Sequence, residues 1–511
     1  MHIEFNVRAF LDRAAATYPE RVALVDETDQ PAEPWAPLTF AELAARARAQ
    51  AAGLDRLGIG PGERVAVVSH NSARLLTSFF GVTGWGRVLV PVNFRLARAE
   101  VGYILEHSGA SVLLVDPELD EALAGIGPSR RYVLGDAADA ELYVPGVEPE
   151  PWASDESATA TINYTSGTTA RPKGVQLTHR NCWVNATVFG WHTGVSDRDV
   201  YLHTLPMFHA NGWGMPWTTA AMGATQVALR KVDGPEILRR VERHGVTLLC
   251  AAPAVVGAVL DAVPDWDGEL PGRGSTRIVV AGAPPPSKTI ERIESELGWE
   301  FIQIYGLTET SPVLTVNRSR AEWDDLPSDQ RARKLMRAGA PSVGTELTVD
   351  EHGEVLARSN TVMAGYWRQP EETAAALAGG WFHTGDGGLI DEEGHLSILD
   401  RKKDVIITGG ENVSSIEVED AIFSLDGVLE VAVIGVPHDK WGEMVLALVV
   451  VDEDSGLTEE IVITHCKGAL AGYKCPKQVE LRNELPRTAT GKLQKFRLRA
   501  PYWEGLDRQV N

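Results

Sequence analysis

Between Tyr164 and Val175 the chain reads Tyr-Thr-Ser-Gly-Thr-Thr-Ala-Arg-Pro-Lys-Gly-Val, a run of small hydroxyl residues with two glycines and one lysine between apolar flanks. Gly167 and Gly174 permit backbone conformations closed to other residues, so amide N–H groups can turn towards an anion. Thr165, Ser166, Thr168 and Thr169 add hydroxyl donors, and Lys173 adds positive charge. Phosphate is the natural guest. The P-loop spacing G-x-x-x-x-G-K-[ST] is absent, because here the lysine precedes the second glycine and a proline precedes the lysine. A polar surface hairpin uses the same residue types, so the string needs company.

Company comes further along. Tyr305-Gly306-Leu307-Thr308-Glu309-Thr310 joins an aromatic ring, a hydroxyl and a carboxylate after an apolar run. Trp381-Phe382-His383-Thr384-Gly385-Asp386 sets a carboxylate in what reads as a Gly-bounded turn. Asp400-Arg401-Lys402-Lys403-Asp404 is a charge run, and Pro486-Arg487-Thr488-Ala489-Thr490-Gly491-Lys492 is a Gly-containing loop ending in a lysine. A carboxylate such as Glu309 beside nucleotide phosphates is the usual setting for Mg2+.

These strings, in this order and at about this spacing, resemble the adenylate-forming superfamily of acyl-CoA synthetases, luciferases and peptide-synthetase adenylation domains. The likeness covers nearly the whole chain. The run from Ser311 to Lys334 is most similar to medium- and long-chain fatty acyl-CoA synthetases and aryl-CoA ligases. The resemblance implies ATP and coenzyme A as co-substrates, with Mg2+ on Glu309. By the same resemblance Tyr305 stacks on adenine, Thr308 contacts the α-phosphate, Asp386 holds the ribose hydroxyls and Arg401 lies on the ribose side. Lys403 is then a pivot and Lys492 the catalytic lysine. Leu205-Pro206-Met207-Phe208-His209-Ala210-Asn211-Gly212 resembles the family's acyl-site segment, which implies that His209 borders the channel between carboxylate and thiol. The resemblance further implies that Gly409 and Gly410 line the pantetheine tunnel and that Trp441 lies towards coenzyme A. Two departures stand out: Ala170 replaces a usual glycine, and the segment from Gly339 to Tyr366 is shorter than usual.

The elements that must position these residues follow from the patterning. With 511 residues the length prior allows about three folding units. Thr39 with Glu42 is a capping box that opens a helix stopped by Gly58. Val22 to Val25, Val65 to Val68, Ser111 to Val115, Thr247 to Ala251, Arg277 to Ala281 and Phe301 to Ile304 read as strands. Such alternation predicts an α/β fold with mostly parallel sheets covered by helices. Ligands in such sheets sit beyond the carboxyl ends of the strands, which directs attention to Gly282-Ala283-Pro284 and to Tyr305 and Gly306. Glu118 to Asp155 reads as a connecting stretch. Past residue 400 a helix capped by Ser414 and strands at Val428 to Val436 and Met444 to Val451 describe a small α+β domain. The expected division is 1–400 for the nucleotide and acyl sites and 401–511 for a mobile domain carrying the hinge and Lys492.

A formal net charge of -22 disfavours nonspecific nucleic-acid binding. The four cysteines have no C-x-x-C spacing, so no zinc knuckle or disulfide scaffold is expected. No uninterrupted apolar run has the length of a membrane span, and the first twenty residues lack a secretory core. The expectation is a soluble cytoplasmic protein, with a homodimer left open. Its partners are small molecules: a carboxylic acid, ATP and coenzyme A. A ligase that loads a carrier-protein phosphopantetheine and an inactive adenylate-binding protein are the alternatives. Pocket walls are expected from Trp183 to Trp191, Trp213 to Trp217 and Gly282 to Pro286, but no sequence rule turns these into an acid.

Overall fold

The protein is described by a computed structural model, which covers residues 2–165, 171–283, 285–401, 404–408, 411–438, 440–487 and 493–504. Two large sheets form the first part of the chain. In one, of nine strands, the order is Ala340–Pro341, Val313–Arg318, Glu300–Gly306, Arg277–Val280, Leu248–Ala251, Val200–His203, Thr225–Ala228, Val22–Val25, Leu38–Thr39. Its six inner strands from Val22–Val25 to Glu300–Gly306 run parallel, and the remaining three are antiparallel additions at the two edges. The second sheet has seven strands: Gly365–Tyr366, Lys173–Thr178, Thr159–Thr165, Val88–Val92, Arg64–Val68, Ala110–Val115 and Arg131–Val133. The five strands from Thr159–Thr165 to Arg131–Val133 are parallel, and the inner three, Val88–Val92, Arg64–Val68 and Ala110–Val115, are largely buried and read as apolar runs rather than as alternating ones.

Local signals set the helices. Thr39 and Glu42 form the reciprocal capping box of Phe40–Arg56, and the chain turns at Gly58 with φ +70°. Thr178 caps His179–Thr193 through Asn181, so the hairpin that ends at Thr178 feeds directly into a helix laid against the sheet. Ser414 caps Ser415–Phe423 by accepting from Glu417 N.

Three regions differ from the sequence expectation. A four-stranded sheet of Thr345–Val349, Glu354–Ser359, Phe382–Ile390 and Leu396–Arg401 is wholly antiparallel; tight hairpins join its first two strands and its last two, and the stretch holding Gly365–Tyr366 and the helix Pro370–Ala376 joins the two pairs. The stretch from Glu118 to Asp155 is more than a connector: it holds the edge strand Arg131–Val133 and the helix Asp136–Leu142. Val88–Val92 is a fully buried strand that the sequence reading did not separate from its helical neighbours. The small C-terminal domain packs Ser415–Phe423 and Glu459–Ala469 on a mixed sheet of Val428–His438, Gly442–Val451 and Gln478–Leu481, extended by Ile406–Thr408 and Glu411–Val413. All four cysteines are buried and free. No helix among the described residues is long and apolar enough to cross a membrane.

Candidate active site

The hairpin of Thr159–Thr165 and Lys173–Thr178 places Thr165 opposite Lys173, so the two ends of the hydroxyl-rich segment are held together by sheet pairing. Ser166, Gly167, Thr168, Thr169 and Ala170 lie outside the described residues. Gly365–Tyr366 adds a strand to the outer edge, with Tyr366 opposite Val175, and Trp367 N donates to Gly174 O at 2.7 Å. This edge carries the Tyr366 ring to 4.8 Å from the Lys173 ammonium, while the Tyr366 hydroxyl donates to Glu309 Oε1 at 3.0 Å.

Glu309 stands in a short 3-10 turn, Thr308–Thr310, immediately after the strand Glu300–Gly306. A side chain at 306 is impossible, because a Cβ there would lie 1.5 Å from Pro312 O. Thr310 braces the turn: its hydroxyl donates to Pro312 O at 2.6 Å and accepts from Leu307 N at 2.9 Å. Thr308 and Glu309 keep part of their surface. Even so, the atoms packed round Glu309 desolvate its carboxyl and raise its pKa, against the opposing pull of the Tyr366 hydroxyl and Arg401.

The Tyr305 hydroxyl donates to Asp386 Oδ2 at 2.8 Å. Burial holds the Tyr305 phenol well above its usual range, with the Asp386 carboxylate adding to the effect. Asp386 is itself buried and lies within the strand Phe382–Ile390, not in a turn as expected from its glycines. Pairing with Arg401 across the hairpin overrides the local Gly signal, and Arg401 Nε comes to 3.6 Å from Asp386 Oδ1. Two linked groups therefore converge at the strand ends: Lys173, Tyr366 and Glu309, then Tyr305, Asp386 and Arg401.

His209 is half-buried and precedes an unusual segment. Ala210, Asn211, Gly212, Trp213 and Gly214 all have positive φ, at 45°, 56°, 57°, 61° and 80°. For a residue with a side chain this left-handed conformation costs roughly 1–2 kcal/mol. Upstream, the buried Asn71 side chain donates to His203 O at 2.9 Å and Leu205 O at 2.8 Å and accepts from Met207 N at 2.8 Å, which fixes the approach to His209.

The remaining expected residues separate from this cluster. Gly282, with φ +99°, and Ala283 are exposed after the strand Arg277–Val280, and Pro284 lies outside the described residues. Trp441 stacks on His438 at 4.3 Å between two strands of the small domain. Lys403, Gly409, Gly410 and Lys492 lie outside the described residues. On the helix His179–Thr193, expected as a pocket wall, the two tryptophans have other surroundings. Trp183 stacks instead on Phe5 at 4.1 Å, and Trp191 is 73% exposed. Asp400 is no member of a solvated charge run: it is buried, accepting from Ser415 Oγ with Lys495 Nζ at 3.5 Å.

Sequence reasoning missed Tyr366 and Asn71. The first follows a glycine in an aromatic pair, Tyr366-Trp367, which was a usable signal; the second is one polar residue after a strand, which was not. Asp391, Glu393 and His395 are close enough together to hold a cation. Arg337 Nη1 already meets both carboxylates, at 2.6 and 2.8 Å, and Lys334 adds a second positive charge.

Comparisons with known proteins show the family. A family model described as AMP-binding enzyme covers residues 11–367, and one for the AMP-binding enzyme C-terminal domain covers 417–492. The chain belongs to the AMP-binding enzyme family. Among its relatives in that family is 4-hydroxybutyrate–CoA ligase 2 of Metallosphaera sedula, 38% identical over 96% of this chain and 93% of the relative. Another is a peroxisomal acetate/butyrate–CoA ligase of Arabidopsis thaliana, 36% identical over 96% of this chain and 93% of the relative. The structure of O-succinylbenzoate coenzyme A synthetase from Bacillus subtilis with ATP and magnesium aligns with a TM-score of 0.81 at 29% identity, covering 96% of this chain and 98% of that one.

Proposed function

We propose that the protein is an AMP-forming acid–thiol ligase that converts a carboxylic acid, ATP and coenzyme A into an acyl-CoA, AMP and pyrophosphate. The observation that carries the proposal is the convergence of Lys173, Tyr366, Glu309, Tyr305, Asp386 and Arg401 at adjoining strand ends in a member of this family. In the first half-reaction a carboxylate oxygen of the acid attacks the α-phosphorus of ATP, the bond to the β-phosphate oxygen breaks, and pyrophosphate leaves. In the second, the CoA thiolate attacks the acyl carbon and AMP departs.

Each residue has a place in that scheme. Thr165, Ser166, Gly167, Thr168, Thr169 and Lys173 hold the phosphates, Thr308 meets the α-phosphate, and Tyr305 and Gly306 border the base. Asp386 accepts from the ribose hydroxyls while Arg401 steadies it. His209 borders the passage between acid and thiol, Gly282, Ala283 and Pro284 border the acyl side, and Gly409, Gly410 and Trp441 lie towards coenzyme A. Glu309 fits a magnesium ion: it is a hard oxygen donor held by its own backbone N–H and by a phenol, with no cationic partner within ion-pair distance among the described residues. Magnesium bound there neutralises phosphate charge. Lys492 stabilises the charge that builds on phosphorus. Since Lys492 is remote in sequence from the phosphate segment, the small domain turns about Lys403 between the half-reactions, while Arg401 stays paired with Asp386.

Short aliphatic acids come first as substrates, because relatives named for 4-hydroxybutyrate and for acetate and butyrate are similar along almost the whole chain. The test is pyrophosphate release over a panel of aliphatic and aryl acids, followed by thioester formation with CoA against a phosphopantetheinyl carrier protein. Release with short acids and transfer to CoA is the expected result. Acid-independent release, or transfer to the carrier protein alone, would overturn the reading.

A further inference from the structure

Three buried side chains under the left-handed segment form a closed ring of hydrogen bonds. Asn163 Nδ2 donates to Asn211 Oδ1 at 3.0 Å, Asn211 Nδ2 donates to Thr161 Oγ1 at 3.0 Å, and Thr161 Oγ1 donates to Asn163 Oδ1 at 2.9 Å. Asn163 Nδ2 also reaches Phe208 O at 3.4 Å, the carbonyl immediately before His209. None of the three side chains is more than 1% exposed. From the other side Asn185 Nδ2 donates to Trp213 O at 3.2 Å, and its Oδ1 accepts from Val313 N at 3.2 Å.

Five successive positive φ values are not a local preference of Ala-Asn-Gly-Trp-Gly. Asparagine and glycine tolerate the left-handed region, but Ala210 and Trp213 do not choose it. Such backbone persists only where surrounding contacts over-determine it. The ring and Asn185 are those contacts. Thr161 and Asn163 come from the strand Thr159–Thr165, and side chains two apart share one face of a strand, so Thr161, Asn163 and Thr165 line the same side. The strand that delivers Thr165 to the phosphate segment therefore also sets the height and direction of the His209 segment.

We propose that Thr161, Asn163 and Asn211 are positioning residues for the acid: their ring holds the left-handed turn, and with it His209, at a fixed offset from the phosphate-binding segment. The proposal rests on the ligase reading above for what the turn serves, but not for what holds it. A ring in which each side chain donates to one neighbour and accepts from the other is intolerant of a single deletion, because the two groups left behind are buried and lose their ring partners. The loss should appear in how the acid is bound and aligned, and not in how ATP is held.

Two measurements on the full-length protein test this. Hydrogen exchange of wild type and Asn163→Ala is compared first; faster exchange confined to residues 207–214 is expected, and unchanged exchange there overturns the proposal whatever the activity. Steady-state kinetics come second. Asn163→Ala and Thr161→Val should raise KM for the acid by about tenfold with KM for ATP unchanged, whereas Thr161→Ser should restore wild-type values. At position 211, Ala loses both the ring and the tolerance for positive φ while Gly loses only the ring, so Asn211→Ala should be the more damaging. Equal rises in both KM values, a fall only in proportion to thermal stability, or no difference between Asn211→Ala and Asn211→Gly would overturn the positioning role. A wild type that releases no pyrophosphate with any acid would instead sink the ligase reading, and with it the role towards the acid, while the exchange result still decides whether the ring holds the turn.

Discussion

Glu309 and Glu419 are both carboxylates whose pKa is raised by desolvation, yet the two are balanced in opposite ways. Glu419 has an ammonium beside it, with Lys495 Nζ at 2.9 Å from Oε1, and Lys495 is shared with Asp400. Among the described residues Glu309 has its own backbone N–H, a phenol and, further off, the guanidinium of Arg401. A buried charge that brings its own counter-charge is complete as it stands. One that is only hydrogen-bonded is held ready for a cation from outside, which is the condition of a metal ligand rather than of a brace. The Asp400 contacts add a second contrast. In sequence Asp400 precedes Lys403 while Ser415, Glu419 and Lys495 follow it, so the turn proposed about Lys403 would part Asp400 from Ser415 and Lys495 but leave Glu419 with Lys495.

The sharpest break in the comparison comes from Lys492→Ala. Removing a donor that acts on developing charge costs on the order of 100- to 1000-fold. That loss is expected in pyrophosphate release from acid and ATP, with conversion of supplied acyl-AMP and CoA to thioester close to the normal rate. Equal losses in both half-reactions, assayed on one preparation, would mean that the lysine is a brace. Next is the pair Glu309→Gln and Glu419→Gln. The first should cut adenylation by about 100-fold and raise the magnesium requirement while leaving the melting temperature nearly unchanged. The second should cost about 1–3 kcal/mol of stability with adenylation chemistry retained, since it strips Lys495 of one partner. Glu419→Gln acting on magnesium dependence would erase the distinction drawn between the two.

Much of this site was legible in the sequence because short strings carry it. The turn from Tyr305 to Thr310 and the hairpin from Thr159 to Thr178 are built by residues near one another, and local rules suffice for them. Contacts between distant residues were not legible. Tyr366 meets Glu309 across 57 positions, and Asp400 is buried by Lys495, 95 positions on; nothing in either neighbourhood announces the partner. The sequence of the helix that holds Trp183 shows which residues are apolar, not which neighbour each face meets, and the Trp183 ring meets Phe5. Asp386 was placed in a turn because Gly385 and Gly387 flank it. Strand pairing with Arg401 decided otherwise, and Gly385 takes its positive φ inside the strand.

The pH dependence of stability separates the two regions further. Burial opposes the charged form of Lys495, but Asp400 and Glu419 outweigh it, and the folded pKa lies above the ordinary lysine value. A raised pKa on a base contributes stability that is complete below the unfolded value of about 10.4 and is lost as pH rises through the folded value. Wild type should therefore lose stability steeply at the alkaline end. Lys495→Met should be less stable at neutral pH and flatter above pH ~10. Identical alkaline limbs in thermal unfolding of the two proteins would show that Lys495 is not the buried cation the structure describes.

The smallest effect expected is that of Tyr366→Phe, and it tests the comparison at its narrowest point. The ring remains under the Lys173 ammonium, so the edge strand and the cation–π contact persist; only the hydroxyl that reaches Glu309 Oε1 is removed. A hydrogen bond of this kind is worth about 0.5–1.5 kcal/mol net, or up to roughly tenfold in rate. If the hydroxyl orients Glu309 for a metal, adenylation should fall by no more than that and saturating magnesium should restore most of it, because the ion then supplies the partner the phenol had supplied. If the hydroxyl merely satisfies a buried carboxylate, magnesium will not rescue the rate and the loss will appear in thermal stability instead. Titrating magnesium against Tyr366→Phe and Glu309→Gln together decides between these, since only the variant that keeps the carboxylate can be rescued.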